Sequence, residues 1–290
     1  MFGSRKKTHN TDCCETDSGD DFRSRSLEKL GLSLDHWDYV VALAGNPNTG
    51  KSTVFNSLTG LRQHTGNWPG KTVNRAEGGF NYGGKSYKIV DLPGTYSLLS
   101  TSQDEEIARN FVLFGQPDVT VVVVDATRLQ RNLNLALQIL EITDHVVICL
   151  NLMDEAKRNG ISIDVDTLQE ELNVPVVPTA ARYGEGLDEL LKAIASTAQK
   201  SLEMKPARFH EESAELENAL DELQNDLEKR YPDLPNARWL ALRLLDGDER
   251  IEEALRNGEL SEMAARYRQE PLDLKRELEE INRNLEKNHV

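Results

Sequence analysis

The chain has 290 residues, room for about two domains at roughly 150 residues each. Its 38% hydrophobic and 29% charged content suits a chain with a buried core, and 34 Lys and Arg against 49 Asp and Glu leave a net charge of -15. That balance, with no basic patch along the sequence, argues against nucleic acid as a partner, and no apolar run approaches the ~20 residues of a bilayer span. Three cysteines, two of them adjacent, make no disulfide framework and point to a reducing, cytoplasmic setting.

Residues 1–36 are polar, mixed in charge and free of apolar periodicity. They read as a disordered extension with a short helix at Leu27–Leu30 and no apolar signal segment. Cys13 and Cys14 lie there without a third ligand nearby, a poor metal site. Buried strands are predicted at Tyr39–Ala44, Tyr87–Val90, Val119–Val124, Val146–Leu150 and Val174–Val177, with Asn81-Tyr-Gly-Gly84 as a hairpin turn. Helical patterns fall at Ser52–Leu58, Leu133–Glu141 and Leu187–Ala195. Strands alternating with helices predict an α/β fold with a mostly parallel sheet over 37–200. From 201 to 290 the pattern is all helical. Leu216, Leu220, Leu223 and Leu227 share one face, as do Leu274, Leu278, Ile281 and Leu285, with shorter helices at Trp239–Leu245 and Ile251–Arg256. Nothing in that small helical domain carries catalytic chemistry.

Gly45-Asn46-Pro47-Asn48-Thr49-Gly50-Lys51-Ser52 fits GxxxxGK[ST] after a strand and at the opening of a helix, the context of a phosphate-binding loop. Backbone amides from Asn46 through Thr53 are predicted to cradle phosphates at the positive end of the helix. Lys51 supplies a cation between the β- and γ-phosphates, and the Ser52 hydroxyl a ligand for Mg²⁺. At the end of a later strand, Asp91-Leu-Pro-Gly94 reads as DxxG, with Asp91 holding Mg²⁺ through water and the Gly94 amide sensing the γ-phosphate. Asn151-Leu-Met153-Asp154 matches NxxD, with Leu152 where Lys is commoner. The Asp154 carboxylate suits the two N–H donors of a guanine edge, and Thr179-Ala180-Ala181 resembles the loop that backs guanine. DxxG alone is also an ordinary turn; the order and strand-end placement of all four motifs make a GTP/GDP site.

These motifs resemble the translation-factor-type GTPases, and one branch closely. Gly66-Asn-Trp68-Pro-Gly-Lys-Thr72-Val, Asp91–Ser97, Val124–Thr127 with Arg131–Leu133, and Arg238–Asp248 are similar to segments of the ferrous iron transport protein B family. The resemblance implies a P-loop GTPase domain and a helical regulatory domain forming the cytosolic part of a longer protein. That protein would have a membrane-spanning, iron-permeating region and work at the cytoplasmic face of the bacterial inner membrane with small accessory proteins; the oligomeric state stays open, a homo-oligomer among the options. It also implies that Thr72 is the switch I threonine that reaches Mg²⁺ and the γ-phosphate. Thr95 stands where many GTPases carry a water-orienting glutamine. The resemblance therefore implies K⁺, held by Asn48 and the carbonyls of Gly66 and Trp68, with Asn48, Lys51, Thr72 and Gly94 as the catalytic set. Asn48 has a structural reading too, as a residue that favours the local loop geometry. The competing function is a potassium-dependent GTPase of RNA modification or ribosome assembly, which calls for a basic appendage that 201–290 does not offer.

Overall fold

The computed structural model describes residues 27–33, 37–60, 63–99, 102–200, 206, 213–232 and 234–265. Cys13, Cys14 and the second leucine stripe, Leu274 to Leu285, lie outside the described residues. The chain runs β1 (Tyr39–Gly45), α1 (Lys51–Thr59), β2 (Gln63–Asn67), β3 (Asn74–Tyr82), β4 (Lys85–Asp91), α2 (Gln103–Asn110), a π-helical turn (Phe111–Gly115) and β5 (Val119–Asp125). It continues with α3 (Leu129–Ile142), β6 (Val146–Asn151), α4 (Met153–Arg158), α5 (Val165–Leu172), β7 (Val176–Pro178) and α6 (Leu187–Ala198). The helical part follows as α7 (Ala214–Arg230), α8 (Ala237–Leu245) and α9 (Glu249–Asn257).

The seven strands form one sheet in the order β2-β3-β4-β1-β5-β6-β7. Pairs from β4 through β7 are parallel, and β2-β3 and β3-β4 are antiparallel. Side-chain alternation along each strand builds a core on both faces. Val40, Ala42, Val122, Val124, Ile148 and Leu150 face α3, while Val41, Leu43, Val121, Val123, Val147 and Cys149 face α1 and α6. Burial on both sides is why β1, β5 and β6 read as continuous apolar runs. The first core also takes in Leu220, Leu227, Trp239, Leu240 and Ile251, so the helical part shares apolar packing with the sheet domain. A buried ionic cluster joins the two. Arg109 Nη1 lies 2.5 Å from Asp248 Oδ2, and Arg243 donates to the same oxygen at 2.9 Å.

The structure corrects the start of the ordered chain. The short helix expected at Leu27–Leu30 is present, but Leu27 and Leu32 are buried in the first core, so residues 27–33 are packed structure and not part of a disordered extension. Their single helical turn ends at Gly31 (φ 78°), where Leu32 N–H donates to the Leu27 carbonyl and Gly31 N–H to that of Glu28, both at 2.8 Å. This is a Schellman closure, which favours glycine at its left-handed position. The strand expected at Val174–Val177 is shorter and later, Val176–Pro178, because Pro175 has no N–H to give the ladder and contributes only its carbonyl, which accepts from Ile148 N–H.

Candidate active site

The loop leaving β1 is shaped by contacts that exclude larger side chains. A Cβ on Gly45 would lie 2.7 Å from the Val123 carbonyl oxygen, and one on Gly50 (φ 80°) would lie 2.4 Å from Asn151 Nδ2. Asn48 also adopts a left-handed conformation (φ 67°) and is exposed, which fits its structural reading. No side chain caps α1, so its first-turn amides are left for an anion. The Asn46 side chain is 2% exposed, and both of its amide atoms lack a partner. Buried polar groups are ordinarily paired, so an orphaned amide in this loop fits a polar ligand.

Lys51 crosses the loop, its ammonium paired with the Asp91 carboxylate and donating to the Leu92 carbonyl at 2.6 Å. Burial raises the Asp91 pKa, and the neighbouring Lys51 only partly offsets it. Ser52 is exposed one residue on, in the first turn of α1. Among the described residues no three or more His, Cys, Asp and Glu side chains cluster at metal-binding spacing. The donor set of one hydroxyl and one carboxylate fits Mg²⁺, a hard ion that completes its shell with water and substrate phosphates.

Asp91-Leu-Pro-Gly94 packs on the same loop. Thr95 N–H donates to the Gly45 carbonyl at 3.3 Å, and a Cβ on Gly94 would lie 3.5 Å from Pro47 N. The Thr95 hydroxyl donates to the Ser97 carbonyl at 2.7 Å, a local turn contact.

The third group of motifs is joined through Asn151, which is 1% exposed. Its Nδ2 donates to the Thr49 carbonyl at 3.0 Å, while its Oδ1 accepts from Ala181 N–H at 3.1 Å and the Thr179 hydroxyl at 3.2 Å. One amide thus ties the phosphate loop, the NxxD loop and the loop after β7. Met153 N–H donates to the Thr179 carbonyl at 3.2 Å, and Leu152 takes a left-handed conformation (φ 63°) to turn the chain into α4. Ala180 and Ala181 are buried beside them. The Asp154 carboxylate accepts from Arg158 Nη2 at 2.9 Å, a partner the sequence reading missed although the i, i+4 spacing signals it. Burial pushes the nearby Cys149 thiol up to about 12, so it serves as core.

Thr72, Gly66 and Trp68 stand apart. Gly66 lies in β2 opposite Arg75, and the Trp68 carbonyl accepts from Lys71 N–H at 3.0 Å. Strand β2 is three strand spacings from β1, ~14 Å across the sheet. Thr72 is exposed in the β2–β3 turn, at the sheet edge where Asp91 ends β4 but displaced along it. The structure brings together the phosphate, DxxG and NxxD loops, and leaves the switch I residues outside that group.

A mostly parallel sheet with a phosphate loop after β1, DxxG after β4 and NxxD after β6 defines a P-loop GTPase domain, here followed by a helical domain. The family description "Ferrous iron transport protein B" matches residues 39–194, and "FeoB cytosolic helical domain" matches 213–289. The chain belongs to the ferrous iron transport protein B family. It is 43% identical over 214 residues to the Fe(2+) transporter FeoB of Salmonella typhimurium, covering 72% of this chain and 27% of that protein. The chain therefore spans about a quarter of the length of that curated relative. Among solved structures, the cytosolic domain of Legionella pneumophila (L. pneumophila) FeoB is 36% identical with a TM-score of 0.68, covering 77% of this chain and 88% of that one. An S. thermophilus NFeoB mutant bound to GDP is 35% identical with a TM-score of 0.67, covering 79% and 88%.

Proposed function

We propose that this chain is the GTP-binding and GTP-hydrolysing switch of an iron(II) uptake transporter, held at the cytoplasmic face of the bacterial inner membrane by a membrane-spanning region of the same protein. The observation that carries the nucleotide reading is Asn151, whose one side chain links the phosphate loop to both guanine-side loops. The iron and membrane parts rest on the curated relatives, which are named Fe(2+) transporters. Accessory proteins and a homo-oligomer belong to the same reading. No observation favours the alternative in RNA modification or ribosome assembly.

In this reading Lys51 exchanges the Asp91 carboxylate and Leu92 carbonyl for β- and γ-phosphate oxygens. The N–H groups of Asn46 and of Asn48 to Thr53 line the phosphates, with Pro47 shaping the loop between them. Asp154 accepts from the guanine edge, with Met153, Thr179, Ala180 and Ala181 supporting the base. Ser52 and Thr72, with Asp91 through water, would hold Mg²⁺, which would supply neutralisation of the phosphate charge. Gly94 donates its amide to the γ-phosphate, and the β2–β3 turn brings Thr72 across when that phosphate is present.

Thr95 has no side-chain amide and its hydroxyl is committed to Ser97, so water must be oriented otherwise. A K⁺ ion held by Asn48 with the Gly66 and Trp68 carbonyls would place positive charge where transition-state charge builds. The experiment is phosphate release at saturating GTP and Mg²⁺ in matched KCl and NaCl. Potassium is expected to give about tenfold faster turnover, a barrier difference near ~1.4 kcal/mol, and Asn48→Ala to remove the difference while GDP still binds. Equal rates in both salts leave Asn48 with its structural role alone, and no phosphate release at all overturns the enzyme.

A further inference from the structure

The packed segment 27–33 has no role in the nucleotide site, yet it touches the element that must move. A Cβ on Gly31 would lie 2.5 Å from Arg75 Nη1 and 2.7 Å from Pro69 Cγ, so the turn is seated directly on the base of switch I. Arg75 Nη1 donates to the Leu30 carbonyl at 2.9 Å, and Lys88 Nζ to the Ser33 carbonyl at 2.8 Å. Glu77 joins the two cations, 2.7 Å from Arg75 Nε and 2.7 Å from Lys88 Nζ. These are carbonyls at the end of a helical turn, where positive charge is favoured. Leu27 and Leu32 are buried in the same core as Trp68 and Phe111.

Trp68 is the part of switch I that this arrangement traps. It is 2% exposed, edge-on to Phe111 at 5.7 Å between centroids, with the Arg75 guanidinium 5.5 Å from its ring. Its indole N–H is buried without a partner, a disfavoured state that surrounding contacts must outweigh. Phe111 and Arg75 supply such contacts, and the Leu30 carbonyl of the 27–33 turn holds Arg75 in place.

We propose that residues 27–33 form an intramolecular brace that holds the β2–β3 turn in its withdrawn position and so opposes the GTP-bound arrangement. This rests on the reading of Thr72 as the switch I threonine. The brace stabilises one state only. It therefore lowers apparent affinity for a nucleotide that needs Thr72 at the phosphate loop, and leaves affinity for a diphosphate almost untouched.

The test uses the full chain carrying Gly31→Ala, which places a methyl group against Arg75 and Pro69 at a left-handed position. Fluorescent GDP and a non-hydrolysable GTP analogue are titrated, and amide exchange over 63–75 is followed. The expected result is about tenfold tighter analogue binding, GDP affinity within twofold of the parent, and faster exchange in switch I. Arg75→Gln attacks the same contact from the sheet side and is expected to shift the two affinities in the same unequal way, which keeps the test open should Gly31→Ala misfold. Unchanged affinities, or equal shifts for both nucleotides, overturn the brace. Thr72→Ala separates the two ideas. Parental hydrolysis in that variant defeats the switch I reading itself, whereas slowed hydrolysis with unresponsive brace variants defeats the brace alone.

Discussion

Replacing Asn151 by Ala removes the amide that connects three loops, and its cost can be worked from the contacts. The Thr49 carbonyl loses its 3.0 Å donor and Ala181 N–H its 3.1 Å acceptor, both of them buried. The Thr179 hydroxyl is less affected, since the Leu150 carbonyl remains 3.4 Å away and Cys149 Sγ 3.2 Å away. Two buried groups left unpaired, at roughly 1–3 kcal/mol each, give a loss of about 3 kcal/mol. For a domain of this size that lowers Tm by roughly 6–12 °C. GDP and GTP should weaken together, because the phosphate and base loops lose their common tie. Asn151→Asp keeps the acceptor for Ala181 and Thr179 but sets a carboxylate against the Thr49 carbonyl, so it should recover little. Calorimetry and a GDP titration on the same preparations give both quantities. A midpoint within a degree of the parent, with unchanged GDP affinity, would refute the bridging role.

Asp154→Asn should weaken GTP binding tenfold or more and shift preference toward a xanthine nucleotide, whose edge the mutant amide can meet; competition titrations measure it. Thr72→Ala should leave GDP affinity nearly intact and slow phosphate release, since its contact exists only with the γ-phosphate. Burial raises the Asp248 pKa, but the Arg243 hydrogen bond and the Arg109 and Arg243 charges outweigh it and hold the carboxyl below its usual value. Its stabilising charge is thus fully present above the ordinary carboxylate value near ~4 and is lost as pH falls through the lower folded value. Asp248→Asn should cost about 3 kcal/mol near neutrality, and the gap in urea stability between parent and variant should shrink below pH ~4.

The phosphate, DxxG and NxxD loops were legible because each is a local string whose chemistry needs those residue types at a strand end. The strands β1, β5 and β6 were legible because burial on both faces makes them uniformly apolar. Strand β2 was not, since Gln63-His-Thr-Gly-Asn67 is polar and mostly exposed, and only pairing with β3 defines it. Helix α2 carries one large apolar residue, Ile107, in eight; its signal was the Ser102–Glu105 capping box, which the structure shows closed. The short helix at Leu27–Leu30 was legible, but its packing was not, since what holds residues 27–33, Arg75 and Lys88, lies far along the chain. The meeting of Thr49 with Ala181 through Asn151 is tertiary, so no spacing rule could name it.

The same physics decides how a signal at Gly94 can reach the helical domain. Helix α2 and the π-helical turn follow the DxxG loop, and both are fastened to the helical part. Arg109, 1% exposed, meets Asp248, and the Arg250 guanidinium lies 4.2 Å from the Phe114 ring centroid. Sliding α2 past the helical domain would strand a buried guanidinium, whose pKa burial already depresses, and breaking such a pair costs roughly 3–5 kcal/mol. The γ-phosphate contact proposed for the Gly94 amide would be a charge-assisted hydrogen bond, worth about 1.5–3 kcal/mol. The smaller term cannot shear the larger, so α2 and the Asp248 end of the helical domain move as one piece. The Lys71–Glu106 pair at 2.9 Å, with side chains about a third exposed, is a far weaker tie between switch I and that piece. On the proposed reading of Thr72 and Gly94, a γ-phosphate is therefore expected to detach switch I from α2 while α2 stays locked to the helical domain.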